Sequence, residues 1–151
     1  MLGGAVITTM LAPATANAQR SKGALDQGDE GQPAFSQFKG VKIGMVVDDA
    51  RKKLGNPRDK SADQDFYVFN DNEVVQVYYD KGGVVSAISI DYMNGASSIP
   101  TSKDLFGADT AANADGSVYK MVRYPKAGCW VAYSRTAGNE ATVTITMQKI
   151  Q

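Results

Sequence analysis

An α+β domain, with short helices packed on one face of an antiparallel sheet, is the fold class that this sequence predicts. Three observations carry the expectation. Val47, Ala50 and Leu54 recur at spacings of three and four, which is one apolar stripe of a short helix. Behind them DFYVF, EVVQVYY and VVSAISIDY follow in succession, separated by clusters of Asn, Asp and Gly, as in an antiparallel meander. From Ile99 the same order of elements returns in weaker form, which predicts a tandem repeat of helix plus three-stranded meander, with subrepeats at about 41–94 and 99–151.

Each element has its own signals. Asp48 and Asp49 stand in the first turn of the first helix and Arg51, Lys52 and Lys53 in the last, where the helix dipole favours them, and all five are expected to face solvent. Gly55 suits the left-handed position that ends a helix, and Pro57 blocks continuation. Eight or nine residues are too few to hold a helix in water, so this one must dock on the strands that follow. Turns fall at Asn70-Asp71-Asn72 and at Asp80-Lys81-Gly82-Gly83. In the third strand Ile88, Ile90 and Tyr92 share a face opposite Ala87, Ser89 and Asp91, so one side packs and the other is more polar.

In the second half Thr101 or Ser102 caps a short helix, SKDLF, that ends at Gly107. SVYKMVRY, CWVAYS and ATVTITMQKI then read as strands. The last of these alternates strictly, with Ala141, Val143, Ile145 and Met147 on one side and Thr142, Thr144, Thr146 and Gln148 on the other. Helix and meander, twice over, predict a sheet of about six strands with both helices on one face.

Composition narrows the function. A chain of 151 residues suits one domain, expected over 38–151. Sixteen basic and sixteen acidic residues cancel, so no nucleic-acid surface is expected. The chain has no His, which removes the commonest metal ligand and the usual base of a catalytic triad. Cys129 is the single cysteine, expected as a small buried residue on a strand.

The first eighteen residues are apolar or small, lack charge and end in Ala16-Asn17-Ala18, a cleavage pattern for a signal peptide over 1–18. The positive beginning typical of such leaders is missing, so either the natural start lies upstream or the leader is atypical. The apolar run is short and broken by Pro13, so no membrane insertion of the mature chain is expected, and no Cys follows to carry a lipid. Residues 19–37, rich in Gly, Gln and charge, read as a flexible linker, with order beginning near Phe35 or Phe38. The protein is therefore expected to be exported, to the periplasm or the extracellular space.

The helix dipole explains Asp48-Asp49. Around Asn113-Ala114-Asp115-Gly116 a calcium loop would place Ala111 first and Val122 last, where carboxylates are needed, which excludes it. Asp71 and Glu73 at a hairpin are turn and solvation residues rather than the paired carboxylates of a glycosidase. No catalytic residue, metal site or cofactor is expected.

The order Ile43, Gly44-Met45, short helix, Leu54-Gly55, Pro57 and then aromatic and β-branched strands is similar to the SmpA/OmlA domain of BamE-like lipoproteins. It also resembles one repeat of the β-lactamase inhibitor protein fold. The resemblance covers about residues 41–92 by motif and 99–150 only by order of elements. Two departures stand out: Val46 occupies the place of the usual Thr or Ser cap, and the lipidated Cys is lacking. What the resemblance implies is a non-enzymatic, protein-binding module, inhibitor or immunity-type, or alternatively a structural component of outer-membrane and envelope assembly.

The partner so implied is another protein. Tyr67, Tyr78, Tyr119 and Trp130 lie on strands and offer large contact area with few rotatable bonds. If Val75, Val77 and Tyr79 face the helices, Gln76 and Tyr78 face away, and if Cys129, Val131 and Tyr133 do, so does Trp130. With Thr142, Thr144 and Thr146 they form the expected partner-binding surface on the open side of the sheet.

Overall fold

The first helix, α1 (Val47–Leu54), turns Ala50 and Leu54 inward, as the stripe predicts. Its start shows how a helix without a capping side chain is satisfied. Val46 makes no side-chain cap, and instead the Val47 N–H donates to the Gly83 carbonyl at 3.0 Å. Gly44 and Met45 exchange further backbone bonds with Val85, both at 2.8 Å, so a neighbouring hairpin holds the entering chain. Gly55 closes α1 at φ 85° and ψ −154°, an extended conformation reserved for glycine rather than the left-handed turn expected.

The computed structural model describes residues 31–151, so the expected leader and the linker up to residue 30 lie outside the described residues. Order is evident by Pro33, which is buried, and Phe35 packs against the core. Phe38 and Val41 pair as a bridge, and the Phe38 ring meets Phe69 at 5.9 Å.

Seven antiparallel strands form one sheet: β1 (Asp59–Lys60), β2 (Gln64–Asn70), β3 (Glu73–Tyr79), β4 (Val85–Tyr92), β5 (Val118–Tyr124), β6 (Cys129–Arg135) and β7 (Val143–Lys149), in the order β1-β2-β3-β4-β7-β6-β5. The six expected strands are joined by β1, whose two exposed polar residues carry no alternation to read. The turns form where Asn, Asp and Gly stand. Asn70 Oδ1 accepts from the Asn72 N–H, and Asp80 Oδ1 from those of Gly82 and Val84. At the centre β4 meets β7, from Ala87↔Gln148 to Tyr92↔Val143.

Register fixes the faces, since residues paired across strands lie on the same side. One row runs Val77, Ile88, Met147, Val131 and Val122, all buried, with Asp65 at its end. Ala50 and Leu54 of α1, and Leu105 of the second helix, α2 (Ser102–Phe106), belong to the same core cluster. Each fully buried Ile or Leu stabilises by roughly 1.5–3 kcal/mol, so this one face carries most of the apolar stabilisation. Thr101 caps α2 in a capping box with Asp104, and Gly107 ends it in the left-handed conformation.

Candidate functional site

The opposite face of the sheet is built by the same pairing. Gln64, Tyr78, Ala87, Gln148, Trp130 and Arg123 form one continuous row across β2-β3-β4-β7-β6-β5. Beside it Phe66, Gln76, Ser89, Thr146, Ala132 and Met121 form a second. Thr144 stands in a third, between Asp91 and Ser134. Tyr78, Gln76, Trp130, Thr144 and Thr146 thus share one side, with Tyr78 and Trp130 in the same row three strand spacings apart, about 14 Å at ~4.8 Å each.

Thr142 falls outside β7, in the connection from β6. Its N–H donates to Thr136 Oγ1 at 2.8 Å, and its carbonyl accepts from the Thr136 N–H at 3.0 Å. Tyr67 turns the other way: it is 2% exposed and packs in the core, its ring stacked on Phe69. Both sides of β2 are apolar, Phe66 and Val68 against Tyr67 and Phe69, so alternation alone does not tell which faces in.

The open face is held in place by its own hydrogen bonds. The Tyr78 hydroxyl donates to Gln76 Oε1, Ser89 and Thr146 hydroxyls meet at 3.2 Å, and Thr144 Oγ1 donates to Asp91 at 2.6 Å. The first lies within β3 and the other two join β4 to β7; such links fix rotamers before anything binds, which lowers the ordering cost of binding. A groove of about 680 Å³ opens along the face, lined by Tyr78, Ala87, Ser89, Thr146, Gln148 and Lys149 among others. Its walls present an aromatic ring, hydroxyls and an amide, groups that bind by shape and hydrogen bonding.

On the helix side lies a polar cluster that the sequence reading missed. Arg51, expected in solvent, reaches back to Asp65 with Nε at 2.7 Å and Nη2 at 2.8 Å, a bidentate pair on a fully buried carboxylate. The Tyr79 hydroxyl donates to the same carboxylate at 2.8 Å. Burial alone raises an Asp pKa, but here the hydrogen bonds from Arg51 and Tyr79, with the Arg51 charge, hold the Asp65 carboxyl below its usual range. Burial, then the Asp65 charge, pushes the Tyr67 hydroxyl up to about 12, and burial with the Asp65 hydrogen bond pushes Tyr79 up as well. Since the Arg51 fork, Tyr79 and Asp65 satisfy one another, the cluster reads as the pin between α1 and β2-β3. Asp65 shares the parity of Tyr67 and Phe69, so the sequence places it in the core only once the inward side of β2 is known.

The remaining candidates take local roles. Asp48 and Asp49 are exposed in the first turn of α1, with Asp49 3.5 Å from Lys52. Asp115 accepts from the N–H and hydroxyl of Ser117, forming a turn. Glu73 lies 3.7 Å from Lys39. Cys129 is buried, and burial pushes its thiol up. Among the described residues no group of three or more His, Cys, Asp or Glu is placed to hold a metal ion, and no helix is long and apolar enough to cross a membrane.

No family model, curated protein or solved structure matches this chain.

Proposed function

We propose that this protein is an exported, non-enzymatic binding module that engages another protein across the open face of its sheet, as an inhibitor or immunity-type protein. The observation that carries the reading is the register. It sets Tyr78 and Trp130 in one row and Gln76 and Thr146 in the next, with the helices and the buried ion pair on the other side. Rigid aromatics surrounded by hydroxyls and amides make large contacts at little entropic cost. Export is supported by the leader pattern ending at Ala18.

A tandem origin belongs to the same reading, with repeats at about 41–94 and 99–151. Its support is the sheet order, in which the last strand of each half, β4 and β7, meets the other at the centre and the remaining strands follow outward in mirrored sequence. The two halves then contribute matching strips to one binding face.

The test is capture from an envelope extract with the tagged chain. Trp130→Ala and Tyr78→Ala are expected to lose the captured protein while circular dichroism stays unchanged; capture retained by both variants overturns the assignment of the surface.

A further inference from the structure

Asn94 is the one asparagine of this chain that is followed by glycine. Asn94 and Gly95 lie in the connection from β4 to α2, and both are exposed. The Ala96 N–H donates to the Met93 carbonyl at 3.0 Å, which closes a four-residue turn with this pair at its centre. Gly95 takes φ 95°, a conformation that suits glycine, and a side chain there would meet Asn72 Nδ2 at 3.3 Å. The Met93 N–H also donates to the Asn72 carbonyl at 2.8 Å, so the turn is stitched to the β2-β3 hairpin.

The requirements of the turn also set up a reaction. The main-chain nitrogen that follows an asparagine can attack its side-chain amide carbon, and a side chain on the following residue shields that nitrogen. Glycine has no such shield. Among the described residues the Gly95 N–H enters no backbone hydrogen bond, and no hydrogen bond holds the Asn94 side-chain amide. We propose that Asn94 is a spontaneous deamidation site, at which water converts a neutral turn residue into an acidic one beside Arg135.

The Gly95 nitrogen gives up its proton and bonds to Asn94 Cγ, the bond from Cγ to the amide nitrogen breaks, and ammonia leaves with that proton. Water then opens the cyclic imide. Attack at Cγ gives aspartate, and attack at the main-chain carbonyl carbon gives isoaspartate, whose main chain runs through the former side chain. One water enters and one ammonia leaves, with no oxidant or reductant. The new charge has a place to go, because Asn94 lines a cavity of about 280 Å³ with Thr101, Tyr133, Arg135 and Asn139. Arg135 stands in register with Val143 and Tyr92, on the helix side of the sheet. Among the described residues no carboxylate forms an ion pair with it. The aspartate product supplies one. The isoaspartate product also lengthens the main chain by a carbon and loosens the closure between Met93 and Ala96.

The test incubates the folded full chain in mildly alkaline heavy-oxygen water and reads it by charge-resolving separation and peptide mass spectrometry. A variant more acidic by a single charge is expected, with heavy oxygen at residue 94, isoaspartate as the larger product, and conversion an order of magnitude faster than at Asn70, Asn72, Asn113 or Asn139. Asn94→Gln abolishes that variant and leaves circular dichroism unchanged. Asn94→Asp raises Tm by about 1–4 °C, the worth of a surface ion pair, and the rise vanishes when Arg135→Gln is added. A folded chain that keeps Asn94 intact while the urea-unfolded chain converts overturns the inference, since the turn then protects the residue. Conversion at the other asparagines at the same rate does so too. A Tm that does not rise, or rises equally with Arg135→Gln, overturns the pairing with Arg135. None of these readouts involves a partner protein or the open face, so the outcome is independent of the protein-binding reading.

Discussion

Replacing Arg51 by Ala removes the fork that holds Asp65. The carboxylate is wholly buried and is left with Tyr79 as its hydrogen-bond donor among the partners described here. Breaking a buried pair at one partner costs about 3–5 kcal/mol, and the lower end applies because the Arg51 side chain keeps 20% exposure, where water already screens it. At roughly 4 °C per kcal/mol for a domain of this size, the expected fall in Tm is about 12 °C, read by circular dichroism or calorimetry. The sign of the pH effect follows from the depressed Asp65 pKa. The stabilisation is present above the ordinary carboxylate pKa and lost as pH falls through the folded value, so the gap between wild type and Arg51→Ala narrows in acid. A loss below about 1 kcal/mol, the worth of a surface pair, refutes the view that this cluster pins α1 to the sheet.

The same geometry yields other expectations. Thr101→Ala removes the capping box of α2 and should cost about 1 kcal/mol in a urea melt. Val46→Asp places a capping carboxylate where α1 has none, at a side chain already 49% exposed, and should raise stability by about 0.5–1 kcal/mol. Alkaline difference absorbance should find Tyr67 and Tyr92 ionising at about 12, pushed up by burial. Because these values are raised, the stabilisation from keeping both neutral is complete below about pH 10 and is lost as pH climbs from there through the folded values. Cys129 should react with a thiol reagent at the rate of global unfolding, and fast labelling of the native protein would contradict its burial.

Local signals in the sequence were faithful where they were strong. The stripe Val47-Ala50-Leu54, the Asn-Asp-Gly turns and the alternation of β4 and β7 each describe an element whose residues all agree. The meeting of β4 with β7 was not legible, because pairing between strands some fifty residues apart is decided by how two amphipathic sheets close a common core. Arg51 was misread because a cation in the last turn of a helix satisfies the dipole and a buried carboxylate equally well. Tyr67 was ambiguous because β2 is apolar on both sides, and only the covering Phe38 and Phe69 rings show which side is inside. The candidate face itself was largely readable, since Gln76, Tyr78, Trp130, Thr144 and Thr146 follow from strand parity, whereas Thr142 lies where the strand has not yet begun.

The central claim, that the open face of the sheet is the protein-binding surface, is tested most directly by site-specific photo-crosslinking. A photoreactive residue at Thr146, in the middle of that face, is compared with one at Lys53, on the exposed side of α1. A discrete crosslinked species from Thr146 and none from Lys53 is the result expected. Crosslinking from Lys53 with none from Thr146 would contradict the claim and move the binding surface to the helical side.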